Sequence, residues 1–141
     1  RIECEERNDV RYVRVLKNKD GCVRHRARHG RRRVHCFDAV KTTFAHGLTP
    51  CGDIANWTNP KGGYFSSLYV MPGCAKRVAQ LCKDCGLTLT GAGAAFPYGI
   101  DPQDSHLRIA PTYPSLSEVE TASMLLTVCV RLAVVEKLLA E

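Results

Sequence analysis

The chain contains 141 residues, of which 45% are hydrophobic and 24% are charged. This length fits one domain, and this composition supports a hydrophobic core and excludes a wholly disordered chain. The formal net charge of +6 comes from 20 basic and 14 acidic residues, and six of the basic residues are arginines crowded between Val23 and Cys36. Outside that tract the charges balance, so the basic character is local.

The sequence carries neither a membrane span nor a secretory signal pattern. Its apolar runs fall short of the roughly 18 residues that suggest a transmembrane helix, and the segment that starts at Arg1 lacks the features of a signal peptide. We therefore expect a cytoplasmic protein, or a piece of one, with no membrane partner. Eight cysteines are present, and without a secretory context we expect most of them to be reduced thiols.

The first twenty residues predict a modest amphipathic helix, because apolar residues recur at helical spacing and a turn closes the segment. The apolar positions are Val10, Val13 and Leu16, and the turn is Asp20-Gly21. The basic tract, residues 23–36, shows no apolar periodicity, and we interpret it as a solvated or disordered segment.

A second helix is predicted directly after the basic tract. Its apolar face consists of Phe37, Val40, Phe44 and Leu48. Gly47 followed by Pro50 provides a stop signal. Because short strand, turn and helix units replace this pattern after Cys51, we place a boundary near position 50. Residues 1–50 form a helical linking segment that contains the basic tract, and residues 51–141 form a small domain.

The small domain has the pattern of an α+β fold. Strands are predicted over 64–70, 87–93 and 106–111, and helices over 72–86 and 115–140. Such a unit forms two layers, a short mixed or antiparallel sheet with helices on one face, here preceded by the helical linking segment.

The last helix gives the strongest signal in the chain. Ser115 or Ser117 can cap it, and Glu118 in the first turn suits the helix dipole. One apolar stripe continues along it and predicts the face that packs on the sheet. The stripe consists of Leu125, Val128, Leu132, Val135 and Leu139.

Possible metal ligands are present, but their spacing does not predict a metal site. Tight pairs of ligands separated by a longer loop are typical of structural zinc sites, and the basic tract has no such arrangement. Its candidate ligands are Cys22, His25, His29, His35 and Cys36. Asp101 and Asp104 provide too few ligands for a cation and are typical of a surface turn.

The segment CKDC, Cys82 to Cys85, has the spacing of a redox motif. In a thioredoxin-like motif the cysteines open a helix, where the dipole lowers the pKa of a thiol. Here the pair ends its helix, next to Gly86, where the dipole disfavours a thiolate. We therefore interpret the two cysteines as structural or incidental.

Arg108 is a charged residue within a segment whose pattern predicts a buried strand. It stands between Leu107 and Ile109 in a short apolar run, and no acidic residue lies within three positions of it. Strand alternation places His106 and Arg108 on one face and the two aliphatic residues on the other. A guanidinium is almost never fully buried without a partner, so this strand requires one.

Two kinds of partner fit Arg108 equally well on the sequence alone. One is a carboxylate of the fold, such as Asp101 or Glu118, which would make Arg108 part of an internal salt bridge. The other is the carboxylate of a bound molecule, which the planar guanidinium fork grips through two hydrogen bonds.

Four segments together resemble a known enzyme family. They are RYVRVLKNKDG (11–21), WTNPKGGYF (57–65), PGCAKRVAQLCKDCGLTLTGAGAAFPYGIDP (72–102) and LRIAPTYPS (107–115). The combination is similar to the C-terminal small domain of fold-type-I, pyridoxal-phosphate-dependent aminotransferases. The likeness is greatest to the MocR-like bacterial group of aspartate or alanine-glyoxylate aminotransferases, and it extends from about Phe37 to Glu141.

The resemblance implies a function for the chain and a role for Arg108. In that family the arginine of the RIAPT segment binds the α-carboxylate of the amino-acid substrate, which implies substrate binding by Arg108. The complete enzyme would be a homodimer that uses pyridoxal 5'-phosphate to transfer an amino group between an amino acid and a 2-oxo acid. The segment GGYF and the last helix would have scaffold roles.

The resemblance also implies what this chain does not provide. The family's catalytic lysine and the residues that hold the cofactor phosphate lie in a large domain, upstream of the segments that match here. We therefore expect a C-terminal fragment with no catalytic, cofactor-binding or metal-binding residue, inactive by itself. Between Cys22 and Cys36 the arginine tract replaces the family's amphipathic helix, as an insert or a reading-frame slip would each produce.

An alternative hypothesis is a small basic module that binds nucleic acid through residues 23–36. The tract lacks interleaved aromatic residues for base stacking, so we do not expect nucleic acid as a specific partner.

We expect weak binding of nucleic acid to this tract, without sequence preference and declining steeply with salt, because the binding rests on counterion release. Anisotropy titrations of labelled RNA and DNA at about 50 and about 200 mM salt measure this. Sequence-selective binding that survives at the higher salt would favour the binding module.

Overall fold

The structure, a computed structural model, describes residues 2–7, 10–15, 22–51, 53–60 and 63–140, with side chains from His35 onward. The contacts divide the chain into two compact units, Arg1–Arg32 and Arg33–Glu141. In the described part of the chain, no helix is both long and apolar enough to cross a membrane.

The first unit contains an antiparallel strand pair. Strand β1 spans Ile2–Arg7 and strand β2 spans Val10–Val15. The helix predicted for this segment is therefore wrong over the strands. Valine and tyrosine in VRYVRV favour extended backbone, and pairing with β1 satisfies its hydrogen bonds, which outweighs a weak helical spacing of valines. The predicted Leu16 and Asp20-Gly21 positions lie outside the described residues.

Helix α1 spans Cys22–Gly47 and runs through the basic tract. The interpretation of this tract as a disordered segment is therefore wrong for its backbone. Arginine is a good helix former and no proline interrupts the tract, so it can extend the amphipathic helix that follows it. The end of α1 at Gly47 and the burial of its apolar face are confirmed. That face consists of Phe37, Val40, Phe44 and Leu48.

The second unit contains a three-stranded antiparallel sheet. The strands are β3 (Ala55–Trp57), β4 (Ser66–Val70) and β5 (His106–Ile109). Strand β4 lies in the centre, and its Leu68 pairs with Trp57 on one side and Leu107 on the other. The strands predicted at 64–70 and 106–111 are confirmed, whereas β3 was not predicted because three residues carry almost no alternation signal.

All three helices contribute to one core on one face of this sheet. Helices α2 (Ala75–Asp84) and α3 (Leu116–Ala140) complete the described elements. The inward strand residues share a cluster with buried residues of α1, α2 and α3. These strand residues are Leu68, Val70, Leu107 and Ile109. The predicted two-layer α+β fold with helices on one face is thus confirmed, while the division into a linking segment and a small domain at position 50 stays a prediction.

The face of α3 that packs on the core differs from the predicted one. The buried positions include Val119, Leu126, Val130 and Val134, whereas Val128 is 57% exposed and Leu139 is 83% exposed. The helix is apolar around most of its circumference, so its periodicity does not select a side. Its start is confirmed, because the Ser115 backbone N–H donates to Glu118 at 2.7 Å in a capping-box arrangement.

The strand predicted at 87–93 is absent from the structure, which describes all of these residues. Leu87 and Leu89 are half-buried against the core, so the alternation that suggested a strand does reflect packing. Their backbone pairs with no strand of the sheet and continues into a turn. There a Cβ on Gly93 would overlap the carbonyl oxygen of Gly99, so the backbone of the two segments approaches closely.

The close contact between α1 and α3 at Gly47 gives a stability prediction. A Cβ at this position would overlap Cγ2 of Thr127 on α3. Gly47→Ala should therefore lower the free energy of unfolding by about 1–3 kcal/mol through overpacking, although alanine is the better helix former. Urea denaturation of the chain measures the change.

A second substitution tests the cause of that loss. Thr127→Ser removes Cγ2 and leaves Thr127 Cβ, at 3.3 Å, as the nearest remaining carbon, so it should restore most of the stability of Gly47→Ala. Gly91→Ala is the matched control, because nothing lies within 4 Å of a Cβ there. Equal losses in the presence and absence of Thr127→Ser would contradict the proposed overlap.

Candidate functional site

The face of the sheet opposite the helices carries the polar strand residues. Ser67 and Tyr69 of β4 lie on it beside Arg108 and His106 of β5, and the register pairs Ser67 with Arg108 and Tyr69 with His106. We call these four residues the open face. The sequence placed His106 and Arg108 together on one face, and the packing of Leu107 on the opposite side confirms that alternation.

Arg108 is half-buried on the open face and has an aromatic neighbour. Its Cζ lies 4.7 Å from the centroid of the Phe65 ring, within cation–π range. Its Nε is buried and has no hydrogen-bond partner among the described residues. Since Nη1 and Nη2 are not buried in this way, the end of the guanidinium fork is the part that a ligand can reach.

The two carboxylates that could have partnered Arg108 lie in other hydrogen bonds. Asp101 accepts hydrogen bonds from the backbone N–H groups of Ser105 and His106, each at 2.8 Å. Glu118 accepts from Ser115 at the start of α3. No ion pair joins Arg108 to an acidic residue within the described part of the chain. The internal salt bridge considered from the sequence is therefore not formed with either carboxylate.

Arg77, in the same unit, is an arginine whose guanidinium is paired with a carboxylate. Its Nε and Nη2 donate to the two carboxylate oxygens of Glu136 at 2.6 and 2.8 Å. This hydrogen-bonded pair raises the pKa of Arg77 and lowers that of Glu136. Arg108 has no such carboxylate partner among the described residues.

The loop before β5 fixes the position of the strand. Burial alone would raise the pKa of Asp101, but three backbone N–H groups, from His106, Ser105 and Gln103, stabilise the carboxylate and hold its pKa below the usual value. Asp104 accepts a hydrogen bond from the Lys76 backbone N–H at 3.1 Å, at the start of α2. Both aspartates thus organise backbone, which fits the predicted surface turn.

His106 lies in an aromatic cage on the open face. It is only 4% exposed, and its ring is 5.0 Å from that of Tyr69 and 5.5 Å from that of Phe96. Its Nε2 lies 3.0 Å from Oγ of Ser67. The sequence did not indicate Phe65, Ser67 or Phe96 as neighbours of this site, because their proximity depends on strand pairing and on the path of the loop.

The cysteines with described side chains are free thiols. Cys82 is buried in the core, whereas Cys85 is exposed at the C-terminal end of α2. Burial raises the pKa of Cys82 to about 12, and contacts with the Cys129 thiol add to the shift. Burial likewise raises the pKa of Cys129.

The structure brings no set of metal ligands together among the side chains it describes. Of the candidates in the basic tract, Cys36 is buried in the core and His35 is exposed beside it on α1. The side chains of Cys22, His25 and His29 lie outside the described residues.

Comparisons with known proteins point to one enzyme family. The family model described as "Aspartate amino-transferase" matches residues 1–141. A Mycolicibacterium smegmatis protein that carries a provisional aminotransferase name is 45% identical over 134 residues, which cover 95% of this chain and 31% of that protein. The aspartate aminotransferase of Corynebacterium glutamicum is 38% identical over 129 residues, covering 92% and 30%.

Solved structures give the same result for the fold. The crystal structure of an aspartate transaminase from Corynebacterium glutamicum superposes with a TM-score of 0.76 at 42% identity. The match covers 78% of this chain and 26% of that one. The chain thus spans about three tenths of the length of the curated relatives that it matches.

The contrast between Cys82 and Cys85 predicts selective alkylation. Since the thiolate is the nucleophile, a pKa of about 12 leaves Cys82 protonated at pH near 8, and burial also blocks access. Iodoacetamide should modify Cys85 in the folded chain and leave Cys82 and Cys129 unmodified, as peptide mass spectrometry would show. Urea-unfolded chain, in which all three should react, is the control. Modification of Cys82 at the rate of Cys85 would contradict the structural assignment.

Proposed function

Because the chain belongs to the aspartate aminotransferase family, we propose that it is the substrate-carboxylate-binding small domain of a longer aminotransferase that uses pyridoxal phosphate. The complete enzyme would transfer an amino group between an amino acid and a 2-oxo acid. Both the relatives' names and the resemblance of the RIAPT segment support this proposal.

The observation that carries the proposal is the state of Arg108. A half-buried guanidinium that has no acidic partner among the described residues is a site that an anion would complete. An amino acid and its 2-oxo acid both carry a carboxylate beside the reacting carbon. One arginine can therefore bind either substrate. Two hydrogen bonds to the carboxylate hold the substrate and fix its orientation.

The residues present fit the carboxylate end of a substrate and not the cofactor. Pyridoxal phosphate, when bound, supplies an electron sink for the chemistry at the amino-bearing carbon. The open face contains no lysine that could hold it covalently. We assign covalent attachment and phosphate binding to the remainder of the complete enzyme, and we assign no cofactor-binding residue to this chain.

Substitution of Arg108 in the complete enzyme tests the proposal. Arg108→Lys keeps the charge but loses the two-pronged geometry, so kcat/KM should fall roughly 10- to 100-fold, as expected for a hydrogen bond between charged groups. The melting temperature should hardly change, since the substitution breaks no ion pair among the described residues. Steady-state kinetics and thermal denaturation of the same preparation measure both effects.

Arg77→Lys is the matched control for Arg108→Lys. It weakens a two-pronged arginine pair on the surface, with Glu136, and should leave kcat/KM at the wild-type value. Arg108→Ala should reduce kcat/KM further than Arg108→Lys does. Wild-type kcat/KM in Arg108→Lys together with a lowered melting temperature would remove Arg108 from the substrate site.

A further inference from the structure

Phe65 is an aromatic residue that packs on Arg108 and not in the core. It lies directly before β4 and is half-buried, yet it is neither in the core cluster nor among the half-buried residues packed against that cluster. Its ring instead lies under the guanidinium of Arg108, 4.7 Å from ring centroid to Cζ. The usual reason for burying an aromatic ring, contact with the core, therefore does not account for Phe65.

The backbone around Phe65 is held in place by Thr58, which directly follows β3. The Ser67 backbone N–H donates to Thr58 Oγ1 at 2.9 Å, and the Thr58 backbone N–H donates to the carbonyl oxygen of Ser67 at 2.9 Å. The hydroxyl of Ser66 donates to the Thr58 carbonyl oxygen at 2.9 Å. These hydrogen bonds join the two residues that follow Phe65 to Thr58, so the backbone that carries the ring is restrained.

Arg108 needs a restraint that its hydrogen bonds do not provide. A long side chain without an ion pair can adopt many rotamers, and holding it in one of them costs entropy each time a ligand binds. Contact with the Phe65 ring, whose centroid lies 4.7 Å from Cζ, restricts the movement of the guanidinium. The same contact orients the guanidinium before any ligand arrives.

We propose that Phe65 is a positioning residue that sets the plane of the Arg108 fork for the substrate carboxylate. This inference rests on the proposed function of Arg108. Phe65 acts through the arginine and has no direct part in the reaction. Loss of its ring should therefore weaken binding of both the amino acid and the 2-oxo acid, with a smaller effect on the rate of the bound complex.

The test uses the complete enzyme and a double-mutant cycle. Phe65→Leu should raise KM for both substrates roughly tenfold with kcat changed less than about threefold, and Phe65→Tyr, which keeps the ring, should stay within about twofold of wild type. In an Arg108→Ala background the same Phe65→Leu change should have no further effect on KM. Thermal denaturation identifies a variant that fails to fold, and Phe65→Met then replaces Phe65→Leu.

The outcomes separate this inference from the proposed function. If Arg108→Ala lowers kcat/KM but Phe65→Leu raises KM equally with and without the arginine, Phe65 does not act through Arg108 and the inference fails. The inference also fails if Phe65→Leu keeps the wild-type KM. If Arg108→Ala itself leaves kcat/KM unchanged, the proposed function fails as well.

Discussion

The charge of Arg108, which meets no acidic side chain among the described residues, is the constraint on which the functional account depends. A half-buried charge left without a partner is costly unless an anion pairs with it. Such a group is retained in a fold when another interaction offsets this free-energy cost, and exceptions to packing rules are concentrated at functional sites. The arginine therefore indicates a bound anion more strongly than it indicates a structural role.

Hydrophobic packing and backbone hydrogen bonds hold this arginine in place. Leu107 and Ile109, its neighbours in sequence, are buried among the helices and fix β5 against the core. Asp101 anchors the start of the strand through two backbone N–H groups. Because neither anchor uses the charge of Arg108, its terminal nitrogens stay available for a ligand.

Much of this arrangement could be predicted from the sequence, and the exceptions have physical causes. Alternation around Arg108 gave the face of the strand correctly, because one side of an antiparallel sheet packs on helices and the other does not. The packed side of α3 could not be chosen, because Val128 and Leu132 are as apolar as the residues that are buried. The Phe65 contact and the three-residue strand β3 arise from pairing between distant segments, which local patterns do not encode.

The most direct test of the account is a crystal structure of the complete enzyme with a bound substrate or a non-reactive carboxylate analogue. The account predicts two carboxylate oxygens within about 2.7–3.2 Å of Nη1 and Nη2 of Arg108, the length of a charged hydrogen bond, with the Phe65 ring still against the guanidinium. A carboxylate bound by other residues, with Arg108 paired to an acidic side chain of the rest of the enzyme, would contradict it.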